Sequence, residues 1–200
     1  MNKSNNIAVI ILAAGSSSRM GQAKQLLPWG NSNLLNHCII QAKNSNAKEV
    51  FVVLGANYEA INTSVKNEPI TILRNPNWEK GVGESIAFGV KKIASKKFDG
   101  VLIMLADQPQ INIAFLNKLI TQFETSAKAI IATGYKNSVG VPAVFNKSYF
   151  EDLMSLTGDK GAKQFIESQQ CNVLVLPCST TVVDIDTHKD YLSLKSSHGH

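Results

Sequence analysis

Apolar positions along the chain follow two alternating patterns. Three runs are continuously apolar or nearly so: "IAVIILA" over Ile7 to Ala13, "EVFVVL" over Glu49 to Leu54 and "VLIML" over Val101 to Leu105. Such runs predict strands covered on both faces. Between them the spacing turns helical. Leu34, Leu35, Cys38, Ile39 and Ala42 predict a helix over Leu34 to Lys43. Phe115, Leu116, Leu119, Ile120 and Phe123 predict another, with Asn112 as its cap. A short third helix is expected over Asn57 to Lys66, capped by Asn57, and a fourth over Ser85 to Ile93. Pro69 to Leu73 reads as a strand that the turn "RNPNW" breaks. Later, "AIIATGY" and "VGVPAVF" read as strands around a turn. Tyr149 to Leu156 and Gly161 to Ser168 read as helices split by "TGDKG", and "NVLVLP" and "TTVVDID" as closing strands.

The pattern predicts one α/β domain over residues 1–200 with its core at 7–191. It is three-layered and Rossmann-like, with a mostly parallel sheet and one antiparallel excursion. Such sheets bind ligands beyond the carboxyl ends of their strands. The loops that matter are then Ala14 to Lys24, Gly55 to Tyr58, Asn75 to Ser85 and Ala106 to Gln110.

Composition narrows the class. A chain of 200 residues with 44% hydrophobic and 18% charged content is globular and long enough for one sizeable core. No apolar run approaches the ~20 residues of a membrane helix. The start "MNKSNNIAVIILAAG" runs into a glycine loop, so it reads as a first strand and not a secretion signal; a cytoplasmic protein is expected. Three cysteines, Cys38, Cys171 and Cys178, form no close pair. The four histidines show no ligand spacing, and the closing "HGH" reads as a frayed tail. Net charge is +5, yet the lysines are scattered and no aromatic-studded basic stripe exists, so no nucleic acid partner is expected. The charge suits small phosphorylated molecules.

The first loop carries the chemistry. "AAGSSSRMGQAK" lacks the second glycine of a dinucleotide fingerprint, and Lys24 stands three residues beyond Gly21, out of register with a Walker A loop. Its content still fits an anion. Glycine and serine let backbone N–H groups converge, and Arg19 and Lys24 add two charges. An ordinary turn with solvated cations is the competing reading.

Leu12 to Lys24, L-A-A-G-x-S-x-R-M-G-x-x-K, resembles the signature of the MobA-like NTP transferases, most of all the molybdenum cofactor cytidylyltransferase branch. The resemblance extends through "NPNWEKGVGESIAFGV", "LADQP", "GVPAVF", "GDKGAK" and "DIDTHKDY", covering about Ile7 to Tyr191. Lys163 stands where the family commonly has Arg, and His188 where it has Pro.

The resemblance implies a nucleotide-diphospho-sugar transferase, glycosyltransferase-A-like fold. It also implies a nucleotidyltransferase that uses Mg²⁺ (or Mn²⁺). Arg19, Lys24 and Asp107 are the expected catalytic residues, and Asp107 and Asp186 the expected metal ligands. Asp107 follows a buried strand and so sits at the sheet's carboxyl edge; a turn or helix-cap role competes with metal binding there. Asp184 and Asp186 alternate on one expected strand and face the same way, and either can be the second ligand. Leu12, Ala13, Ala14, Gly15, Ser16 and Ser17 are expected to bind the nucleotide, with Gly55, Asn75, Gly81 and Ser85 on the base side. Ser85 as a helix N-cap, Trp78 as packing and Asp159 as a cap are the structural alternatives. The "LAAG" wording resembles cytidylyl enzymes, and the Ala14 methyl narrows the approach for a larger base, so CTP is the preferred donor. The implied acceptor is a molybdopterin-type phosphate, with a molybdoenzyme as recipient. GTP, a sugar or alditol phosphate acceptor, or a non-catalytic nucleotide-binding role in cofactor delivery are the alternatives.

Overall fold

The computed structural model describes residues 6–65, 67–178 and 182–197. In chain order the strands are β1 (Ile7–Ala13), β2 (Pro28–Trp29), β3 (Ser32–Asn33), β4 (Glu49–Leu54), β5 (Thr71–Arg74), β6 (Gly100–Leu105), β7 (Ile130–Tyr135), β8 (Ser138–Asn146) and β9 (Val173–Pro177). The α-helices are α1 (Leu34–Lys43), α2 (Tyr58–Val65), α3 (Val82–Ile93), α4 (Ile113–Thr125), α5 (Phe150–Met154), α6 (Ala162–Ser168) and α7 (His188–Ser197). Among the described residues no helix is long and apolar enough to cross a membrane.

Seven strands form one sheet in the order β5-β4-β1-β6-β8-β7-β9. Every neighbouring pair is parallel except those made by β8, which runs antiparallel to both β6 and β7. That strand is the single excursion the sequence implies. Alternation along β1 separates the two faces. Ile7, Val9, Ile11 and Ala13 join the layer with α1, α2 and α4; Ala8, Ile10 and Leu12 join the layer with α3, α5 and α6. All seven residues of β1 are buried, which is why its sequence carries no polar alternation.

Asn33 and Asn112 cap α1 and α4, their side chains accepting from Asn36 N and Phe115 N, each at 2.9 Å. Several expected boundaries move. The strand expected at Pro69 is β5, beginning at Thr71. The helix expected from Ser85 begins three residues earlier, with Gly81 as its N-cap, so Ser85 is not the cap. Asp159 does not cap α6; Gly161 does. Asn57 precedes α2 in the left-handed region, at φ 55°.

The closing "TTVVDID" forms no strand over its described residues, and 179–181 lie outside them. Residues 182–186 leave the sheet because Ile185 is drawn into a third cluster with Leu27, Trp29, Leu34, Tyr191 and Leu194. The chain then enters α7, which the apolar pattern did not predict. Residues 1–5, Lys66 at the expected end of the helix from Asn57, and the "HGH" tail lie outside the described residues.

Candidate active site

A cleft of about 350 Å³ opens at the carboxyl ends of β1 and β6. Residues 12–16, Lys24 and Gln25 form one wall, Trp78, Glu79, Gly81, Val82 and Ser85 another, and residues 105–107 the floor. The first wall is a folded-back loop. Ser17 adopts φ 56° and Gly21 φ 66°, which reverse the chain so that the tight turn Lys24–Leu26 returns beside the end of β1. Ser17 Oγ accepts from the Lys24 backbone N–H at 3.1 Å. The loop is therefore an organised turn, and its cations are not both solvated.

The Lys24 ammonium donates to Asp107 Oδ2 at 2.5 Å, to the Ile185 carbonyl at 3.0 Å and to Asp186 Oδ1 at 3.3 Å. Arg19 approaches the other oxygen of Asp186 at 3.6 Å from a far more exposed position. Four charged side chains from three distant segments thus converge at the cleft. Asp107 is placed there by β6, and Asp186 by the C-terminal segment, whose Ile185 N–H donates to the Asp107 carbonyl at 3.1 Å. Asp184 and Asp186 flank buried Ile185; no strand forms there, so the strand alternation expected to aim both at one face does not hold. They differ in partner: Asp184 accepts from Gln108 Nε2 at 2.7 Å, whereas Asp186 meets the two cations.

Burial opposes charge on Lys24, but Asp107 and then Asp186 outweigh it, and its pKa lies above the ordinary lysine value. Burial pushes the Asp107 carboxyl up; Lys24 pulls it back, and Asp184 and Asp186 push it further up. A crowd of carboxylates with one buried ammonium calls for additional positive charge. Asp107 Oδ1 is buried with no hydrogen-bond partner. A divalent cation fits that orphaned oxygen. No cluster of three or more metal-ligating side chains occurs among the described residues. Mg²⁺ does not need one, since it binds through one or two carboxylates with waters and phosphate oxygens completing the shell.

The residues expected on the base side divide. Gly81 and Ser85 line the cleft with Trp78. Gly55 sits behind Trp78: a Cβ there would fall 2.4 Å from Trp78 Cβ and 2.7 Å from the Ala14 carbonyl. Trp78 both packs on this glycine and faces the cleft. Asn75 is buried at 1% exposure; its N–H donates to Leu54 O, Nδ2 donates to Ser85 Oγ, and Oδ1 accepts from Asn77 N. It braces the wall. Gly81 adopts φ 108°, and its absent Cβ would lie 2.4 Å from the Gly158 backbone, so "TGDKG" packs directly on the start of α3. Lys163 is exposed on α6, 4.0 Å from Glu167.

Sequence reasoning passed over two groups. Gln25 is buried and bonds the loop, and Tyr135 and Gln108 gather around Asp184. A lone polar residue before "LLPW" gives no sign of burial, and the second group spans three separate segments of the chain.

The sequence matches the MobA-like NTP transferase domain over residues 9–173. The chain belongs to this family. Among curated relatives of this MobA-like transferase is the purine catabolism protein PucB of Bacillus subtilis, 32% identical over 91% of the chain and 92% of PucB. The nicotine blue oxidoreductase of Paenarthrobacter nicotinovorans is 28% identical over 89% and 91%. The molybdenum cofactor cytidylyltransferase of Escherichia coli is 23% identical over 96% and 97%. The first two therefore exceed in identity the branch that the loop motif resembles most. The crystal structure of Rv0371c from Mycobacterium tuberculosis in complex with manganese superposes with a TM-score of 0.83 at 26% identity, over 96% of this chain and 99% of that one. The fold is that of the nucleotidyltransferases, as the sequence motifs imply, and a nucleoside triphosphate is the substrate class of the family.

Proposed function

We propose that this MobA-like transferase moves CMP from CTP onto the phosphate of molybdopterin, releasing pyrophosphate, with Mg²⁺ or Mn²⁺ as cofactor. The observation that carries the reading is the Lys24 ammonium seated between Asp107 and Asp186 at the mouth of a glycine–serine loop. An acceptor phosphate oxygen attacks the α-phosphorus; the bond to the bridging oxygen of the β-phosphate breaks, and its electron pair leaves with pyrophosphate. The attacking phosphate is already largely ionised at neutral pH, its second pKa being about 6, so no strong base is required. The problem is to hold two anions together while charge builds on the leaving group. Lys24 and Arg19 neutralise the triphosphate, and residues 14–17 offer backbone and hydroxyl donors. Asp107 and Asp186 would hold the metal, which would polarise phosphoryl oxygens and stabilise the leaving group.

Support for CTP comes from Ala14, which lines the cleft and carries a methyl group where a glycine would leave more room for a larger base. Support for the acceptor comes from the Escherichia coli relative alone.

The test is pyrophosphate release with each of four NTPs, with and without molybdopterin, in Mg²⁺, Mn²⁺ or EDTA. Turnover with CTP and molybdopterin, abolished by EDTA, is the expected result. Turnover only with GTP, or only with a sugar or alditol phosphate, moves the donor or the acceptor. Metal-dependent CTP binding without turnover on any acceptor makes the protein a nucleotide-binding delivery factor. Oxidation of a reduced nicotinamide without pyrophosphate release would turn the reading toward the activity class named for the Paenarthrobacter relative.

A further inference from the structure

Gln25 is 2% exposed and lies on the wall of the cleft. Its Nε2 donates to the carbonyls of Ala13 at 2.9 Å and Gly15 at 3.0 Å. Its Oε1 accepts from Ser17 Oγ at 3.4 Å. One amide therefore engages the end of β1 and two residues of the loop that follows. Ser17 Oγ in turn accepts from the backbone of Lys24, the residue before Gln25. The ring of contacts is closed: the loop's outgoing limb holds its incoming limb.

A trans peptide is planar and directs its C=O and the next residue's N–H to opposite sides. With the Ala13 and Gly15 carbonyls turned toward Gln25, the N–H groups of Ala14 and Ser16 point away from it. Gly15 offers open space, with nothing within 4 Å of where a Cβ would stand. A buried amide that fixes two carbonyls thus fixes the direction of donors it never touches.

We propose that Gln25 is a positioning residue: it orients the backbone donors of Ala14 and Ser16 toward the anionic tail of a bound nucleotide and locks Lys24 to the same frame. This rests on the reading that the loop receives a triphosphate. Gln25 itself is too deeply placed behind the loop's carbonyls to act as the main phosphate ligand, so its effect scales with the number of phosphates bound.

The experiment is titration calorimetry with CMP and CTP in Mn²⁺, on wild type, Gln25→Met and Gln25→Glu, each checked for native far-UV circular dichroism. Methionine keeps length and removes the donor. Glutamate keeps an acceptor toward Ser17 and puts a carboxylate against two carbonyls. The readout is the affinity gain from monophosphate to triphosphate. That gain is expected to shrink at least fivefold in both variants, with CMP affinity kept within twofold. A purely structural role would leave the ratio unmoved in folded protein. A shrinkage under fivefold in a folded variant overturns the positioning role while leaving the nucleotide reading intact. A wild type that gains nothing from the extra phosphates overturns both.

Discussion

Among single residues, the two glycines that face the cleft separate ligand space from folding space. Gly15 has an ordinary φ and open room for a Cβ, whereas Gly81 has φ 108° and the Gly158 backbone 2.4 Å from the added atom. Gly15→Ala is expected to leave urea stability within about 1 kcal/mol, with any change on the stabilising side through the unfolded chain. Its CTP affinity should drop at least tenfold, because the methyl stands where the phosphates approach. Gly81→Ala should be markedly destabilised before any ligand is added. Equal loss of stability in the two variants would show that Gly15 serves the fold and not the ligand. The distinction was not legible in the sequence, where both glycines sit in loops after strands. What decides it is the neighbour that packs on Gly81, and "TGDKG" lies more than seventy residues away along the chain. Lys24 was legible as the close of a long specific motif, and Asp107 as the carboxylate just beyond an unmistakable buried strand. Their contact was not, because no local pattern encodes a pair 83 residues apart.

Secondary elements tell a similar story. The strands of the central sheet were readable because continuous apolar runs have few other uses, and α1 and α4 because their caps and spacing agree. α7 was missed because its buried residues are only Tyr191 and Leu194, too few to register as a helical stripe. Its signal is polar. "THKD" forms a capping box: Thr187 N and Oγ1 donate to Asp190 Oδ2 at 2.8 and 2.7 Å, and Asp190 N donates to Thr187 Oγ1 at 3.2 Å. His188 is the first helical residue, a position proline also suits, so the departure from the family's usual proline changes little. With two buried anchors, α7 depends on this box more than α3 does on its glycine cap. Thr187→Ala is expected to lower stability by about 1 kcal/mol, and Trp29, packed in the same small cluster as Tyr191 and Leu194, should report early loosening by fluorescence. The Thr187 bonds hold the Asp190 carboxyl below its ordinary value. Its contribution is therefore complete above the usual carboxylate range and declines as pH falls through the lowered value. Acidification of Thr187→Ala should move the Trp29 signal less than in wild type; an equal shift would assign the acid response elsewhere.

Across the whole molecule, the site is a junction. Lys24 follows β1, Asp107 follows β6, and Asp186 lies 162 positions from Lys24 on the segment that leads into α7. One ammonium joins all three. That cation lies between two carboxylates; if these hold the divalent ion, as proposed, Lys24 and the metal would compete in the free protein and cooperate once a triphosphate offered Lys24 other partners. Lys24→Ala should then act with opposite signs. Removing the ammonium leaves Asp107, whose side chain is 15% exposed, without its partner. Loss of one member of a buried pair costs about 3–5 kcal/mol, although protonation of Asp107 softens it, so a fall in melting temperature of several degrees is expected in EDTA. Mn²⁺ should restore most of that loss, and its affinity without nucleotide, read by electron paramagnetic resonance of free Mn²⁺, should rise above wild type. CTP affinity should fall, and turnover with it by ~10²-fold or more, as for loss of a principal electrostatic group. A variant that binds Mn²⁺ no better than wild type, and whose melting temperature ignores the metal, would mean that the carboxylates around Lys24 do not form the metal site. The ion cluster would then be a tie between β1, β6 and the C-terminal segment, and the catalytic reading of Asp107 and Asp186 would fall with it.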